Sequence, residues 1–161
     1  MKPDYKIEIT PARQQQLLDV LYIIKECSQQ LGEKSIKYWN NSLIDFHEID
    51  NDTDNGYVCL LKVNYISVGT ITIKPDNQSD KTLLIGKLAI HPAYQKKGFA
   101  QKLISWSIDK GKEANYKILK GYSPTDDTAL LKLLEQNNFI NEGEVPPPKK
   151  EYVRLVFEKT L

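Results

Sequence analysis

Apolar residues at alternating or helical spacing predict the first elements of the chain. Ile7 and Ile9 alternate with charged residues, which predicts a short strand. Thr10 and Pro11 then predict a helix start, because proline is tolerated at the first helical position. The helix is predicted from an apolar stripe made by Leu17, Leu18, Leu21, Ile24 and Leu31. A second, less regular helical stretch contains Ile36, Trp39, Leu43, Ile44 and Phe46, and the polar segment 48–56 indicates a turn.

The middle of the chain is rich in strand-forming residues. Residues 57–63 and 66–75 are two such runs, and the short segment between them predicts a hairpin. Another polar turn is expected at residues 75–81. Residues 82–90 then form a nearly continuous apolar run, which is typical of a central strand buried on both faces.

Helical spacing returns directly after that central strand. From Ala100 onward one apolar stripe contains Leu103, Ile104, Ser107, Ile108 and Gly111. A strand is expected next at residues 116–122. A strand, a helix and a strand within about 40 residues predict a right-handed crossover between parallel strands. A short helix at 128–139 and an antiparallel pair at 139–145 and 151–161 complete a mixed α/β domain.

Length and composition narrow the class of protein. The 161 residues suit a single domain, spanning 1–161, with a sizeable core. The net charge of +1 and the lack of a long apolar run favour neither nucleic acid nor a membrane as partner. Cys27 and Cys59 match no metal-binding spacing, so we expect free thiols, a cytoplasmic location and no metal.

The segment "AIHPAYQKKGFAQKLI", residues 89–104, carries the candidate chemistry. The first N–H groups of a helix lack intrahelical partners, and the helix dipole is positive there. Gly98 would let a phosphate approach that backbone, and Lys96 and Lys97 add positive charge. An ordinary strand-to-helix turn with solvated lysines explains the same residues equally well. The phosphate-binding patterns G-x-x-x-x-G-K-[ST] and G-x-G are both absent.

The same segment resembles the acyl-CoA-binding motif of the GNAT superfamily of N-acetyltransferases. That motif, Q/R-x-x-G-x-G/A, follows a central strand that ends in "laV-x-P". The chain fills both parts, with Leu88, Ala89, Ile90 and Pro92 in the strand end and Gln95, Lys96, Lys97, Gly98, Phe99 and Ala100 in the loop. The resemblance implies a central mixed sheet of six to seven strands with a parallel pair splayed at the middle, flanked by about four helices.

The resemblance also implies roles for particular residues. Amides from Gln95 to Ala100 would bind the pyrophosphate of acetyl-CoA, and the bulged strand end from Leu88 to Ile90 would pair with the pantetheine arm. The backbone N–H of Leu88 would polarise the thioester carbonyl. Asp127 stands where the family's last helix has an asparagine, which implies another cofactor contact. The acceptor amine would attack directly.

Two departures from the family pattern leave the proton-transfer groups open. Leu134 stands at the position of the tyrosine that commonly protonates the departing thiolate. Leu84 stands at the position of the glutamate that some members use as base. Tyr122 and Tyr94 are candidate substitutes, with Tyr122 the more favoured. A packing role for either tyrosine is the competing interpretation.

Three functions are compatible with the sequence. The first is transfer of an acetyl group from acetyl-CoA to a primary amine of a small molecule or peptide, with a homodimer left open. The second is a sensor module that binds acyl-CoA without turnover, as Leu84 and Leu134 would allow. The third, a nucleic-acid binder, uses the net charge of +5 in residues 96–120 but lacks any known motif.

Overall fold

The chain folds into seven strands and four α-helices within the part that its computed structural model describes, namely residue 4 and residues 6–33, 45–145 and 154–161. The strands are β1 (Ile7–Pro11), β2 (Val58–Val63), β3 (Ile66–Asp76), β4 (Ser79–Ile90), β5 (Ile118–Pro124), β6 (Ile140–Val145) and β7 (Arg154–Thr160). The helices are α1 (Leu17–Glu33), α2 (Phe46–Asp54), α3 (Phe99–Glu113) and α4 (Thr128–Gln136).

All seven strands lie in one mixed sheet with the order β1-β2-β3-β4-β5-β7-β6. Strands β4 and β5 are parallel, and the other neighbouring pairs are antiparallel. Helix α3 makes the crossover between β4 and β5, because parallel neighbours cannot be joined by a tight turn. The predicted fold class, element order and central crossover are therefore confirmed.

Two apolar cores lie on opposite faces of the sheet. The α1–α2 core contains side chains from both of those helices, among them Val20, Ile23 and Ile49. The α3–α4 core contains side chains such as Leu103, Ile104 and Leu134. Strand β2 contributes to both cores, because successive side chains of a strand point to opposite faces. The sheet is therefore the middle layer of three.

The predicted start of the first helix was wrong. Thr10 and Pro11 continue β1 and pair with Leu60 and Cys59 of β2. Because β1 is an edge strand, it tolerates a proline. A 3₁₀ turn at Gln14–Gln16 comes next, and α1 begins only at Leu17. The predicted stripe on α1 was partly wrong as well, because Leu18 is 77% exposed.

The predicted polar turn at residues 48–56 was also wrong, because most of it is helix α2. The carboxylate of Asp45 caps this helix by accepting hydrogen bonds from the N–H groups of His47 and Glu48, at 2.9 and 3.2 Å. Ile49 is the helix's buried apolar anchor, so the sequence shows little helical periodicity there. Most of the expected second helix, residues 36–44, and the proline run 146–148 lie outside the described residues.

Candidate functional site

The parallel strands β4 and β5 separate after a short stretch of pairing. Only Thr82, Leu83 and Leu84 of β4 pair with β5, whose partners are Ile118 to Lys120. Beyond that point β4 continues to Ile90 along β3, and β5 continues to Pro124 along β7. The sheet therefore opens between its two central strands, as expected for the splayed pair.

A β-bulge lies on β4 just beyond the separation. Thr72 of β3 pairs with Gly86 and Thr70 pairs with Ala89, so Ile71 faces both Lys87 and Leu88. Lys87 has a left-handed backbone with φ of +49°, which is uncommon for a residue with a side chain. The bulge thus begins one residue before the predicted segment 88–90. It turns Leu88 towards the α3–α4 core and buries Ala89 in the α1–α2 core.

The N-terminus of α3 presents bare backbone. Gly98 is the N-cap residue with φ of +83°, and among the described residues no side chain caps the helix. A Cβ built on Gly98 would meet no described atom within 4 Å, so the space beside it is open. Lys96 also has a positive φ of +61°. The first N–H groups of α3, with the positive end of the helix dipole, are therefore available to an anion.

The side chain of Gln95 holds this loop in place. Its amide nitrogen donates to the carbonyl oxygen of Ile90 at 2.9 Å and to Oε1 of Gln30 at 2.8 Å. The loop is thus fixed both to the end of β4 and to α1. The backbone N–H of Gln95 donates to the carbonyl oxygen of Pro92 at 3.5 Å and closes the 3₁₀ turn before the loop. Sequence reasoning did not find Gln30, which lies in a helix remote from the motif.

The strand opening, the bulge and the loop border one cleft of about 640 Å³. The predicted site residues that line it are Leu88, Ile90, Gln95, Lys96, Gly98, Phe99, Ala100, Tyr122 and Asp127. Of the other predicted site residues, Ala89 is buried in the α1–α2 core, and Lys97 is exposed with its ammonium 5.7 Å from the ring centre of Tyr94. Lining residues that sequence reasoning missed include Cys27, Gln30, Lys87 and Lys132.

Three of the four candidate proton-transfer positions line the same cleft, and the fourth, Leu84, pairs with Lys120 of β5 where the strands begin to separate. Tyr122 is half-buried on β5, with the guanidinium of Arg154 4.1 Å from its ring centre and the ammonium of Lys120 at 5.8 Å. Tyr94 lines the cleft and also packs against the α3–α4 core. Leu134 lines the cleft, is 2% exposed and belongs to that core. The position of the family's tyrosine is therefore filled by a packed aliphatic side chain.

Asp127 has a structural partner within the chain. Its carboxylate is the N-cap of α4 and accepts a hydrogen bond from the N–H of Leu130 at 3.2 Å. This capping bond fixes the first turn of α4 against the cleft. His91 has a comparable local role, because its Nδ1 accepts from the N–H of Ala93 at 3.1 Å and so caps the 3₁₀ turn before the loop.

A group of ion pairs joins α2 to the strands beside the bulge. The ammonium of Lys87 lies 2.9 Å from the carboxylate of Glu48, and the ammonium of Lys74 contacts both Glu48 at 3.4 Å and Asp52 at 3.1 Å. Burial favours the neutral acid at Glu48, but Lys87 and then Lys74 more than offset this and lower its pKa. Burial likewise opposes charge on Lys74, but Asp52 and Glu48 raise its pKa.

Within the described residues, neither the cysteines nor the potential metal ligands form a second candidate site. Cys27 and Cys59 are both buried thiols that are not joined in a disulfide, and burial raises the pKa of Cys59 to about 12, with Lys110 opposing this. Among the described residues, no three His, Cys, Asp or Glu side chains gather as metal ligands would. No helix of that part of the chain is long and apolar enough to cross a membrane.

Comparison of the chain with known proteins identifies a matching family. A family model described as the acetyltransferase (GNAT) family matches residues 18–139. A search of curated protein sequences found no significant match.

Solved structures of similar fold include three acetyltransferases. PaiA N-acetyltransferase from Thermoplasma acidophilum, in complex with coenzyme A, has a TM-score of 0.78 at 14% identity, covering 97% of this chain and 99% of that one. YncA from Salmonella typhimurium, with acetyl-CoA, has a TM-score of 0.74 at 17% identity and covers 96% and 94%. The ribosomal-protein-alanine N-acetyltransferase from Brucella melitensis has a TM-score of 0.75 at 17% identity and covers 96% and 99%.

Proposed function

Because this chain belongs to the GNAT family of acetyltransferases, we propose that it transfers an acetyl group from acetyl-CoA to a primary amine of a small molecule or peptide. The amine attacks directly while both substrates are bound, and residues 1–161 work as one domain. The observation that carries this proposal is the single cleft into which the strand opening, the bulge and the uncapped end of α3 all lead.

The residues of the cleft suit the parts of acetyl-CoA. The pyrophosphate fits the N–H groups of residues 96–100, because Gly98 leaves open space where a Cβ would otherwise stand and the N–H of Gln95 already donates to Pro92. Lys96 and Lys97 add positive charge around it, and both are exposed. The pantetheine arm fits the gap between β4 and β5, where unpaired backbone of both strands is available. Acetyl-CoA would supply the activated thioester.

The reaction then depends on the bulge. The backbone N–H of Leu88 donates to the thioester oxygen and stabilises the negative charge that develops there as the amine adds. The carbon–sulfur bond then breaks, the new amide nitrogen gives its extra proton to water, and the thiolate of coenzyme A leaves. Tyr122, half-buried at the cleft, is the candidate to return a proton to that sulfur. Holding both reactants in one cleft makes the attack effectively intramolecular.

Two measurements test this function. Isothermal calorimetry with acetyl-CoA should show saturable binding, and a thiol reagent should report release of coenzyme A with one or more members of an amine panel. The panel should include peptides with a free N-terminal alanine, because the Brucella relative is a ribosomal-protein-alanine N-acetyltransferase. Absence of acetyl-CoA binding, together with binding to a DNA or RNA duplex, would overturn the proposal in favour of a nucleic-acid role.

A second candidate is a module that binds acetyl-CoA without turnover. The observation that favours it is the aliphatic side chain at both usual proton-transfer positions, Leu84 and Leu134. The amine panel separates the two candidates. Saturable acetyl-CoA binding with no release of coenzyme A for any amine supports the sensor, and release that depends on an amine supports the enzyme.

A further inference from the structure

The ion pair between Glu48 and Lys87 connects α2 with the bulge on which the proposed reaction depends. The two residues are 39 positions apart in sequence, and Nζ of Lys87 lies 2.9 Å from Oε1 of Glu48. Lys87 lines the cleft and directly precedes Leu88, whose N–H is the proposed donor to the thioester. We propose that Glu48 is a positioning residue, which acts through Lys87 to hold the bulge in its catalytic conformation. This inference rests on the proposed function.

The backbone of Lys87 needs such a contact. Its φ of +49° is a conformation that side-chain-bearing residues adopt at a cost, and it persists only where the surroundings enforce it. The neighbouring residues fix the bulge from both sides of the sheet, because Leu88 packs against the α3–α4 core and Ala89 is buried in the α1–α2 core. The remaining bulge residue, Lys87, is fixed by its ion pair with α2.

The partner of Lys87 is itself held in place. Glu48 also contacts Lys74 at 3.4 Å, and Lys74 binds the buried carboxylate of Asp52 one turn further along α2. Two lysines on two adjacent strands therefore grip one face of the helix. Such a linked group is more rigid than an isolated surface ion pair, which contributes little. The lowered pKa of Glu48 keeps its carboxylate charged at neutral pH, as an anchor requires.

A general base would be the other use for a carboxylate near this cleft. Glu48 already accepts from two ammonium groups, and its lowered pKa makes it a weak proton acceptor. The two roles predict different behaviour when Lys87 is replaced. If Glu48 is a base, it should still be needed when Lys87 is replaced. If Glu48 is an anchor, it should no longer be needed once residue 87 adopts the bulge conformation without strain.

Replacement of Lys87 by glycine and by alanine separates these effects. Both changes remove the ammonium, but only glycine adopts a positive φ without strain. We expect Glu48→Gln and Lys87→Ala to lower kcat by about 10- to 100-fold, the scale of a small misplacement of a reacting group, while KM for acetyl-CoA changes little. Lys87→Gly should keep most of the turnover, and Glu48→Gln combined with Lys87→Gly should match Lys87→Gly alone.

Asp50→Asn is the matched control, because it removes the same charge from the same helix at a residue outside the ion-pair group. It should leave kcat unchanged. The inference is overturned if Glu48→Gln has the kcat of the native protein. It is also overturned if the double variant is much slower than Lys87→Gly, which would mean that Glu48 acts on the substrate directly. Equal losses of kcat for Lys87→Ala and Lys87→Gly would also overturn it, because the ammonium of Lys87 and not the bulge conformation would then be what turnover requires.

Amide hydrogen exchange tests the anchor without any turnover. In the free protein, Glu48→Gln should speed exchange in residues 86–90, and Asp50→Asn should not. Unchanged exchange in Glu48→Gln overturns the inference even if the enzyme is active. Faster exchange in a protein that acetylates no amine would support the anchor while the proposed function fails, so the two outcomes stay distinguishable.

Discussion

Gly98 decides how the backbone enters α3. Its φ of +83° lies in the left-handed region, and the space beside its missing Cβ is open to the cleft. Glycine therefore serves two separate purposes here. It permits the backbone conformation, and it leaves the helix N–H groups accessible to a phosphate.

Asparagine and alanine at position 98 separate those purposes. Asparagine tolerates a left-handed backbone better than alanine does, but both add a Cβ. We expect Gly98→Asn and Gly98→Ala each to weaken acetyl-CoA binding by more than about tenfold, or about 1.4 kcal/mol. Only Gly98→Ala should also lower the free energy of unfolding, by about 1 kcal/mol. Calorimetry and denaturant unfolding measure the two effects, and native affinity in Gly98→Asn would contradict the assigned phosphate site.

Leu134 allows a direct test of proton transfer to the departing thiolate. The side chain is 2% exposed, so an aromatic replacement overfills the α3–α4 core, at a cost of about 1–3 kcal/mol. Leu134→Phe carries the same packing cost as Leu134→Tyr and lacks only the hydroxyl. We expect the tyrosine variant to turn over at least about tenfold faster than the phenylalanine variant, within the range of general acid catalysis. Steady-state release of coenzyme A measures this, and equal rates would show that protonation of the thiolate does not limit turnover.

At the scale of elements, a helix or strand could be predicted when its own residues carry the pattern that forms it, and not when it depends on partners distant in sequence. The β4–α3–β5 unit was predictable because its apolar patterns are long and its loop matches a known motif. Helix α2 was not, because Ile49 is its main apolar anchor and its stability comes from a capping carboxylate and from lysines on distant strands. The acidic residues of the polar segment 48–56 were visible in the sequence, but their partners Lys74 and Lys87 are visible only in the fold.

The attachment of α2 to the sheet should depend on pH. The pKa of Glu48 is lowered from 4.5, so its ion pairs contribute fully above pH 4.5 and are lost as the pH falls through the folded-state pKa. Lys74 does not interfere in this range, because its pKa is raised from 10.5 and it stays charged in acid. We expect the native protein to be more stable than Glu48→Gln near neutral pH, and the difference to shrink below about pH 4.5.

Denaturant unfolding of both proteins from about pH 3 to about pH 7 measures that difference. Asp50→Asn again serves as the control, because that carboxylate lies outside the ion-pair group. A stability difference that stayed constant across the acidic range would show that the charge of Glu48 contributes nothing. The effect of Glu48→Gln would then be one of packing.

For the whole molecule, the sheet places the two substrates through a single topological feature. Strands β4 and β5 pair over three residues and then diverge, and this divergence opens a gap at the centre of the sheet. Helix α3 starts from the end of β4, so its positive N-terminus faces the mouth of the same gap. Of the lysines in residues 96–120, Lys96 and Lys97 stand in the loop at this N-terminus and suit the phosphates of acetyl-CoA, whereas Lys110 and Lys112 lie in the last turn of α3.

Acetyl-CoA should therefore stabilise the whole domain. A ligand that binds only the native state at 100 times its Kd adds about 2.7 kcal/mol to the free energy of unfolding. For a domain of this size, that should raise Tm by about 5–10 °C. Gly98→Asn should show a much smaller rise in Tm at the same acetyl-CoA concentration, because its phosphate site is obstructed.

Thermal unfolding followed by circular dichroism measures the rise in Tm for both proteins, with a DNA duplex of equal charge concentration as the comparison ligand. A rise with the duplex and none with acetyl-CoA would mean that the lysines of residues 96–120 serve a nucleic acid and that the cleft is not an acetyl-CoA site.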